Sequence, residues 1–393
     1  MSYHLTGLDP SGQPVNVEIT ITPVTIQPPT VLNVRDHGAK GDGVADDRAA
    51  IQAVLDGANS GQTAYLPAGS YKLSGTLLVR HSGITLAGDG DTSTLMIGAT
   101  RGLWVGGAGT PVDGVAIKKL AIVGQPGKYN SDGNTAHAIL CDGATKTLVE
   151  DVLLQGVGQG CYSVNGATGT IHRRVRVQGW GGTALGLNTG ALVDDCQIVQ
   201  DDPNLNGQRS GHGLYVHNGA QNVVVKNSTV VNARMFGIHC YGEQVGLITG
   251  PISFTNCMIK DCFGSFICAN YPADAARVQN LTVTDCQFLG GYGGISVTIR
   301  QGDGITFQRN VIKNTVQGFQ GLAIGQWGPN DLNGKITKAT FSNLTIDGFS
   351  YGLYLLGSNG GKFEATQIGP SNTIVNCGRA LICDPTPGVT VVA

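Results

Sequence analysis

Histidine, tyrosine, arginine and acidic side chains crowd one stretch of this 393-residue chain. His212 stands in Ser210-Gly211-His212-Gly213-Leu214, with Tyr215 and His217 directly after it. Arg234, His239, Tyr241 and Glu243 follow, and the preceding stretch 201–209 supplies Asp201, Asp202 and Arg209. Imidazole and phenol can act as base and acid for an elimination beside a carboxylate, with a guanidinium neutralising that carboxylate. Asp201 or Asp202 with Glu243 offers a hydrolase instead, which needs two carboxylates as acid and base. A face that only binds sugar, or is merely solvated, is the third alternative. The candidate catalytic set is His212, His239, Tyr241, Glu243, Asp201 and Asp202. The candidate contact set is Tyr215, His217, Arg209, Arg234 and Trp327. Trp180, Phe236, Tyr271 and Tyr292 add rings able to stack on sugars. The ten cysteines show no CxxC pair and no zinc spacing, and neither a metal nor a cofactor is expected.

These residues need a scaffold, and the scaffold is a repeat. From about residue 115 the chain cycles through small, apolar, any, apolar. The small column reads Ala138, Cys161, Ala184, Gly213, Gly237, Ser265, Gly294, Gly321, Gly352 and Ala380. The next column reads Ile139, Tyr162, Leu185, Leu214, Ile238, Phe266, Ile295, Leu322, Leu353 and Leu381. Spacings run from 23 (161 to 184) to 31 (321 to 352). Apolar residues two apart share one face of a strand. A second strand follows, as in Val225/Ser228/Val230, Phe254/Cys257/Ile259 and Val283/Cys286/Phe288, with Asn227, Asn256 or Asp285 before the middle member. Asp and Asn favour bends there. Such short strands bury their apolar face only by stacking turn on turn, which predicts a parallel β-helix. Adjacent turns lie ~4.8 Å apart, so His212 and Tyr215 share a groove with Arg234, His239 and Tyr241. Gly186, Ile267 and Ser296 are read as outward neighbours, and His137 as a structural residue at the repeat position of His212.

Composition narrows the function. Glycine is 60 of 393 residues but shows no G-X-Y period, so the chain is not collagen. Charged residues at 13% and hydrophobic residues at 41% argue against disorder. A net charge of -2 without a Lys/Arg block disfavours nucleic-acid binding. No apolar run approaches the ~20 residues of a membrane span, so no membrane insertion is expected. The first residues lack the basic and apolar regions of a signal peptide. Synthesis in a reducing compartment, and mostly free thiols within the stack, are therefore expected.

Residues 1–29 read as an arm: 15–22 alternates like an edge strand, and Pro23, Pro28 and Pro29 stiffen the connection. Residues 30–110 read as a capping region and 111–393 as regular coils. Within the cap, Asp46 or Asp47 can start a helix near Arg48 whose Ile51, Val54 and Leu55 shield the open end. The run Val31-Leu32-Asn33-Val34-Arg35-Asp36-His37-Gly38-Ala39-Lys40-Gly41-Asp42-Gly43, then Ala64-Tyr65-Leu66-Pro67-Ala68-Gly69 and Leu86-Ala87-Gly88-Asp89-Gly90, resembles the opening of pectate-lyase-superfamily right-handed β-helices. That group holds polygalacturonase-like hydrolases, lyases, epimerases and phage tail proteins. Gly211-His212-Gly213 is also similar to the Gly-His-Gly of polygalacturonase-like enzymes. Asp194-Asp195-Cys196 departs from their Asp-Asp-Cys because Asp195 falls in the bend column.

The resemblance implies an all-β right-handed parallel β-helix with a short N-terminal capping helix. With the arm, it implies a tailspike or minor tail protein made in a host cytoplasm and carried on the virion. Such a protein would grip a host-surface polysaccharide, with or without cleaving it by lyase or hydrolase chemistry. It would meet other tail proteins through residues 1–29 and assemble as a homotrimer, as related tailspikes commonly do. A cellular or secreted lyase, hydrolase or epimerase, and a purely structural virion rod, are the alternatives.

Overall fold

The computed structural model describes residues 2–20, 30–98, 101–107, 109–125, 137–201, 211–217, 219–242, 247–270, 277–291, 293–315, 321–325, 335–355, 362–383 and 389–391. Two units result, Met1–Thr30 and Val31–Ala393. In the first, Ser2–Leu8 pairs antiparallel with Pro14–Thr20, so the expected edge strand is half of a hairpin. Asp9 closes it: its carboxylate accepts from the Ser11 and Gln13 amides at 2.8 and 3.0 Å.

The second unit is a parallel β-helix. Twelve strands, from Leu77–Val79 to Arg379–Cys383, stack in order along one sheet. Each regular turn adds two shorter strands, such as Val223–Lys226 and Thr229–Val231, paired to their counterparts one turn on. The joint between them is the Asp/Asn bend column. Asp195, Asn227, Asn256 and Asp285 stand there at φ 52–57°, the left-handed region where short polar side chains are tolerated best. The column also bonds along the stack, Asn256 Nδ2 donating to Asn227 Oδ1 at 2.9 Å and Asn227 Nδ2 to Asp194 Oδ1 at 3.0 Å. Asp194 also pairs with Lys226 at 3.3 Å, so Asp194-Asp195-Cys196 is bend chemistry.

Basic residues take the bend in some turns, Lys119 among them at φ 50°. Arg174 and Arg309 occupy the same bend at φ 50° and 55°, each bonded to the acid one turn back, Asp151 at 2.6 Å and Asp285 at 2.8 Å. Pointing inward beside these bends are His172 and Asn310, both fully buried. Asn310 is satisfied: Oδ1 accepts from the Cys286 amide and Nδ2 donates to the Val283 carbonyl, both at 2.8 Å. Neither ring nitrogen of His172 has a partner.

Helix α1 (Arg48–Gly57) covers the first turn with Ile51, Val54 and Leu55. Asp47 sits at its N-cap but makes no capping bond; it accepts instead from the Lys40 and Gly41 amides at 2.6 and 3.0 Å, pinning the glycine-rich turn. Asp46 takes the capping role, accepting from the Arg48 amide at 3.2 Å. The nine cysteines whose side chains are described form no disulfide, and Cys240 lies beside Cys268 in register. Burial pushes the Cys196, Cys262 and Cys268 thiols up to about 12, which keeps them inert.

The long sheet departs from the expected register in three places. Cys161, not Tyr162, pairs with Ile139, because Gly160 takes the corner, where a Cβ would lie 2.1 Å from the Ala184 carbonyl. Tyr162 therefore faces outward. Val297 rather than Ile295 pairs with Phe266, and Leu353 pairs with Ile324 rather than Leu322. A slip of two preserves strand alternation, so hydrophobicity alone does not resist it. Ser296 is consequently fully buried, its Oγ bonded to Ser265 Oγ at 3.2 Å, and Thr298 is the outward residue of that turn.

Two outcomes follow for stability. Asn256→Val places a β-branched residue at φ 52° and should lower stability by about 1–2 kcal/mol, read as a fall in the urea midpoint, whereas Asn256→Gly should spare most of it. Burial lowers the His172 pKa from 6.5 to about 4. The folded state then binds fewer protons than the unfolded, so this contribution is whole above pH 6.5 and lost as pH falls towards 4. His172→Leu should remove on the order of 2–3 kcal/mol of the acid-induced loss, measured as the difference between urea midpoints at pH 7 and pH 4.5.

Candidate functional site

Strand pairing builds one outward column on the long sheet: Trp104, Leu140, Tyr162, Gly186, Tyr215, His239, Ile267 and Thr298. Its middle is aromatic. A Cβ on Gly186 would lie 2.3 Å from the Tyr162 ring, so only glycine lets that ring fold over the next turn. Tyr162 then meets His217 (ring centres 4.9 Å apart), and His217 stacks on Tyr215 at 4.8 Å. Tyr215 touches His212 and His239, each at 5.1 Å, and Tyr241 lies 4.9 Å from His239. His137 joins the far end, 5.8 Å from Tyr162.

The Gly-His-Gly motif is a corner requirement. A Cβ at Gly211 would sit 1.6 Å from the Gly182 carbonyl, and one at Gly213 2.6 Å from the Gly237 carbonyl. Two close approaches of backbone thus hold His212 at the corner before strand Leu214–Val216. Trp180, read from sequence as a sugar-stacking ring, is fully buried and anchors the corner from inside, its indole N–H donating to the His212 carbonyl at 3.1 Å.

At the centre, His212 Nε2 and His239 Nδ1 are 3.2 Å apart, and either can donate. Burial lowers the His212 pKa to about 4. Burial holds His239 well below its ordinary value, with the charges of His212, Arg300 and His217 adding to the effect. Both rings are therefore neutral at pH 7. Two neutral imidazoles sharing one hydrogen bond leave one bare lone pair and one N–H at the outer ends, whichever tautomer holds. Those ends, His212 Nδ1 and His239 Nε2, are buried and unpartnered. The pair is thus a water-shielded base and acid in one unit.

The structure brings together His212, Tyr215, His217, His239 and Tyr241. His217 is only 1% exposed and packs between the Tyr162 and Tyr215 rings. Arg234 is half-buried in the corner before strand Phe236–Gly242, and the cation that acts on His239 is Arg300, which sequence reading missed. Asp201 is exposed. Asp202, Arg209, Glu243, Tyr271, Tyr292 and Trp327 lie outside the described residues. Tyr162 was also missed; Gly160 at the corner was its signal. Among the described residues no group of three His, Cys, Asp or Glu could hold a metal ion.

A family model described as right-handed β-helix region matches residues 130–334, and one described as rhamnogalacturonase A/epimerase, pectate lyase-like, matches residues 31–111. Mannuronan C5-epimerase AlgE1 of Azotobacter vinelandii is 47% identical over 76 residues, 17% of this chain and 5% of that protein. A probable glucan endo-1,3-beta-glucosidase of Arthroderma benhamiae is 33% identical over 178 residues, 43% of this chain and 18% of that protein. The chain thus spans a small part of these relatives. Among solved structures, the A-module of mannuronan C-5 epimerase AlgE4 from Azotobacter vinelandii gives a TM-score of 0.62 at 20% identity, covering 91% of this chain and 99% of that one. The surface adhesin PfbA of Streptococcus pneumoniae gives 0.64 at 14% identity, covering 91% and 93%. At such identities the likeness is one of fold.

The electrostatics can be read directly. In ¹⁵N-histidine spectra the His212 ring should stay neutral until pH reaches about 4. An imidazolium signal for His212 appearing between pH 6 and 7 would contradict the water-shielded arrangement.

Proposed function

The chain belongs to the right-handed β-helix family, and on that premise we propose that it binds an acidic polysaccharide along the outward ring column and moves a proton at a uronate carbon. The His212–His239 pair carries the reading. A carbon beside a carboxylate gives up its proton only to a base held out of water, with the developing charge offset nearby. The pair supplies the lone pair, half-exposed Tyr241 the returning acid, and Arg300 a positive charge close to His239. Return of the proton to the opposite face gives epimerisation; loss of the group one carbon further gives elimination. The matched mannuronan C5-epimerases act, by their name, on such a polymer. Hydrolysis would need two carboxylates about the scissile bond, and Asp201 stands exposed rather than beside the ring column.

The setting we propose is a homotrimeric phage tail protein or an exported surface protein. The hairpin arm, a unit of its own, supports attachment to a larger assembly. A binding-only adhesin is the second reading, favoured by the fold likeness to PfbA.

A panel of polyuronates in deuterated water separates these outcomes. Deuterium at the uronate carbon without chain cleavage marks epimerisation, new ultraviolet absorbance marks elimination, and new reducing ends without absorbance mark hydrolysis. His212→Ala and His239→Ala should each lower turnover by on the order of 10²-fold or more, and kcat/KM should fall only as pH approaches about 4. Retention of polyuronate with no deuterium, absorbance or reducing ends would leave the adhesin reading. Full activity in both alanine variants would sink the assignment of the pair.

A further inference from the structure

The outward column continues beyond the histidine pair towards the N-terminal turns, and there it opens into a cleft of about 290 Å³. Arg101, Trp104, His137, Asp142, Gln159 and Tyr162 line it. The Arg101 guanidinium lies over the Trp104 ring, 4.8 Å from its centre. Asp142 has both oxygens engaged, by Trp104 Nε1 at 3.1 Å and Asn165 Nδ2 at 2.9 Å, so it fixes the indole rather than offering itself to a ligand. Arg101 Nε and His137 Nδ1 are buried without any partner, and His137 is only 5% exposed. A buried donor without an acceptor is costly, a loss that a ligand atom placed there recovers. The guanidinium edge calls for a carboxylate, and the neutral imidazole suits a hydroxyl.

We propose that this cleft is a distal subsite for a second uronate residue of the same chain, its carboxylate on Arg101 and a hydroxyl on His137. The proposal rests on the acidic-polysaccharide reading above and adds a length requirement to it. From Trp104 through Leu140, Tyr162 and Gly186 to Tyr215 is four turns, or ~19 Å at ~4.8 Å per turn. Rings line the way, from His137 to Tyr162, His217 and Tyr215. A sugar chain that reaches both ends is held in one register, so the subsite selects long chains and sets which residue meets the histidine pair.

Calorimetric titration of the full chain with oligouronates of graded length tests this, with neutral oligosaccharides of equal length as the control. The wild-type protein should bind oligomers spanning four turns roughly tenfold more tightly than short ones, the size expected for one charge-assisted contact. The same ratio should fall to near one in Arg101→Ala and Trp104→Ala. Arg101→Lys should keep part of it, because charge remains while the Nε–H is lost. A length ratio unchanged in Arg101→Ala, or a neutral oligomer showing the same ratio as the uronate, would overturn the subsite while leaving the central site standing. Failure of the wild-type protein to bind any oligouronate would overturn both.

Discussion

The β-helix answers to the stacking of one turn on the next. Each residue of a turn meets its counterpart ~4.8 Å away, so a side chain tolerated at one position must suit the same position above and below. Inside, that demand produces continuous apolar columns and the buried cysteines. At the bend it produces a run of left-handed Asp and Asn residues that bond to one another, and where Arg174 and Arg309 intrude, the acid one turn back holds them. At the corner it produces glycine on both sides of His212, because the carbonyls of Gly182 and Gly237 leave no room for a Cβ. A motif that resembles catalytic sequence is thus first of all a packing solution, and the imidazole it displays is a by-product that the outer face can use.

The outer face uses it by gathering rings. Tyr162 folds over Gly186, His217 and Tyr215 stack, and His212 meets His239 across the turn boundary. Packing so dense drives water off the imidazoles and keeps them neutral. Buried nitrogens without partners are costly, and among the described residues His137, His172, His212 and His239 each keep at least one such nitrogen. His172 lies in the interior, where it contributes only acid sensitivity. The other three lie on or beside the outward column, where a polar ligand can complete them. That contrast separates a misfit core residue from a site.

Much of this was legible in the sequence. The β-helix, the capping helix and the bend column followed from period-two apolar pairs and the recurring Asp or Asn, since both patterns are local. The meeting of His212, Tyr215, His239 and Tyr241 followed from the same alignment. Register was harder. A slip of two at Val297 keeps every apolar residue inward, so only backbone pairing reveals it. Tyr162 was hidden because Gly160 and Cys161 are both small enough for the corner. The turns of His172 and Asn310 escaped notice because a polar residue occupies an inward position, satisfied in one case and bare in the other. Arg300 and Arg101 carry no pattern at all, and only three-dimensional neighbours mark them.

The central claim is that the outward column is where a uronate chain lies. A crystal structure of His212→Ala with an oligouronate tests it most directly. Sugar rings should follow Tyr162, Tyr215 and His239, with one carbon-bound hydrogen facing the vacated imidazole position. An oligomer found instead away from this column, along Asp91, Arg174 and Arg176, would contradict the account.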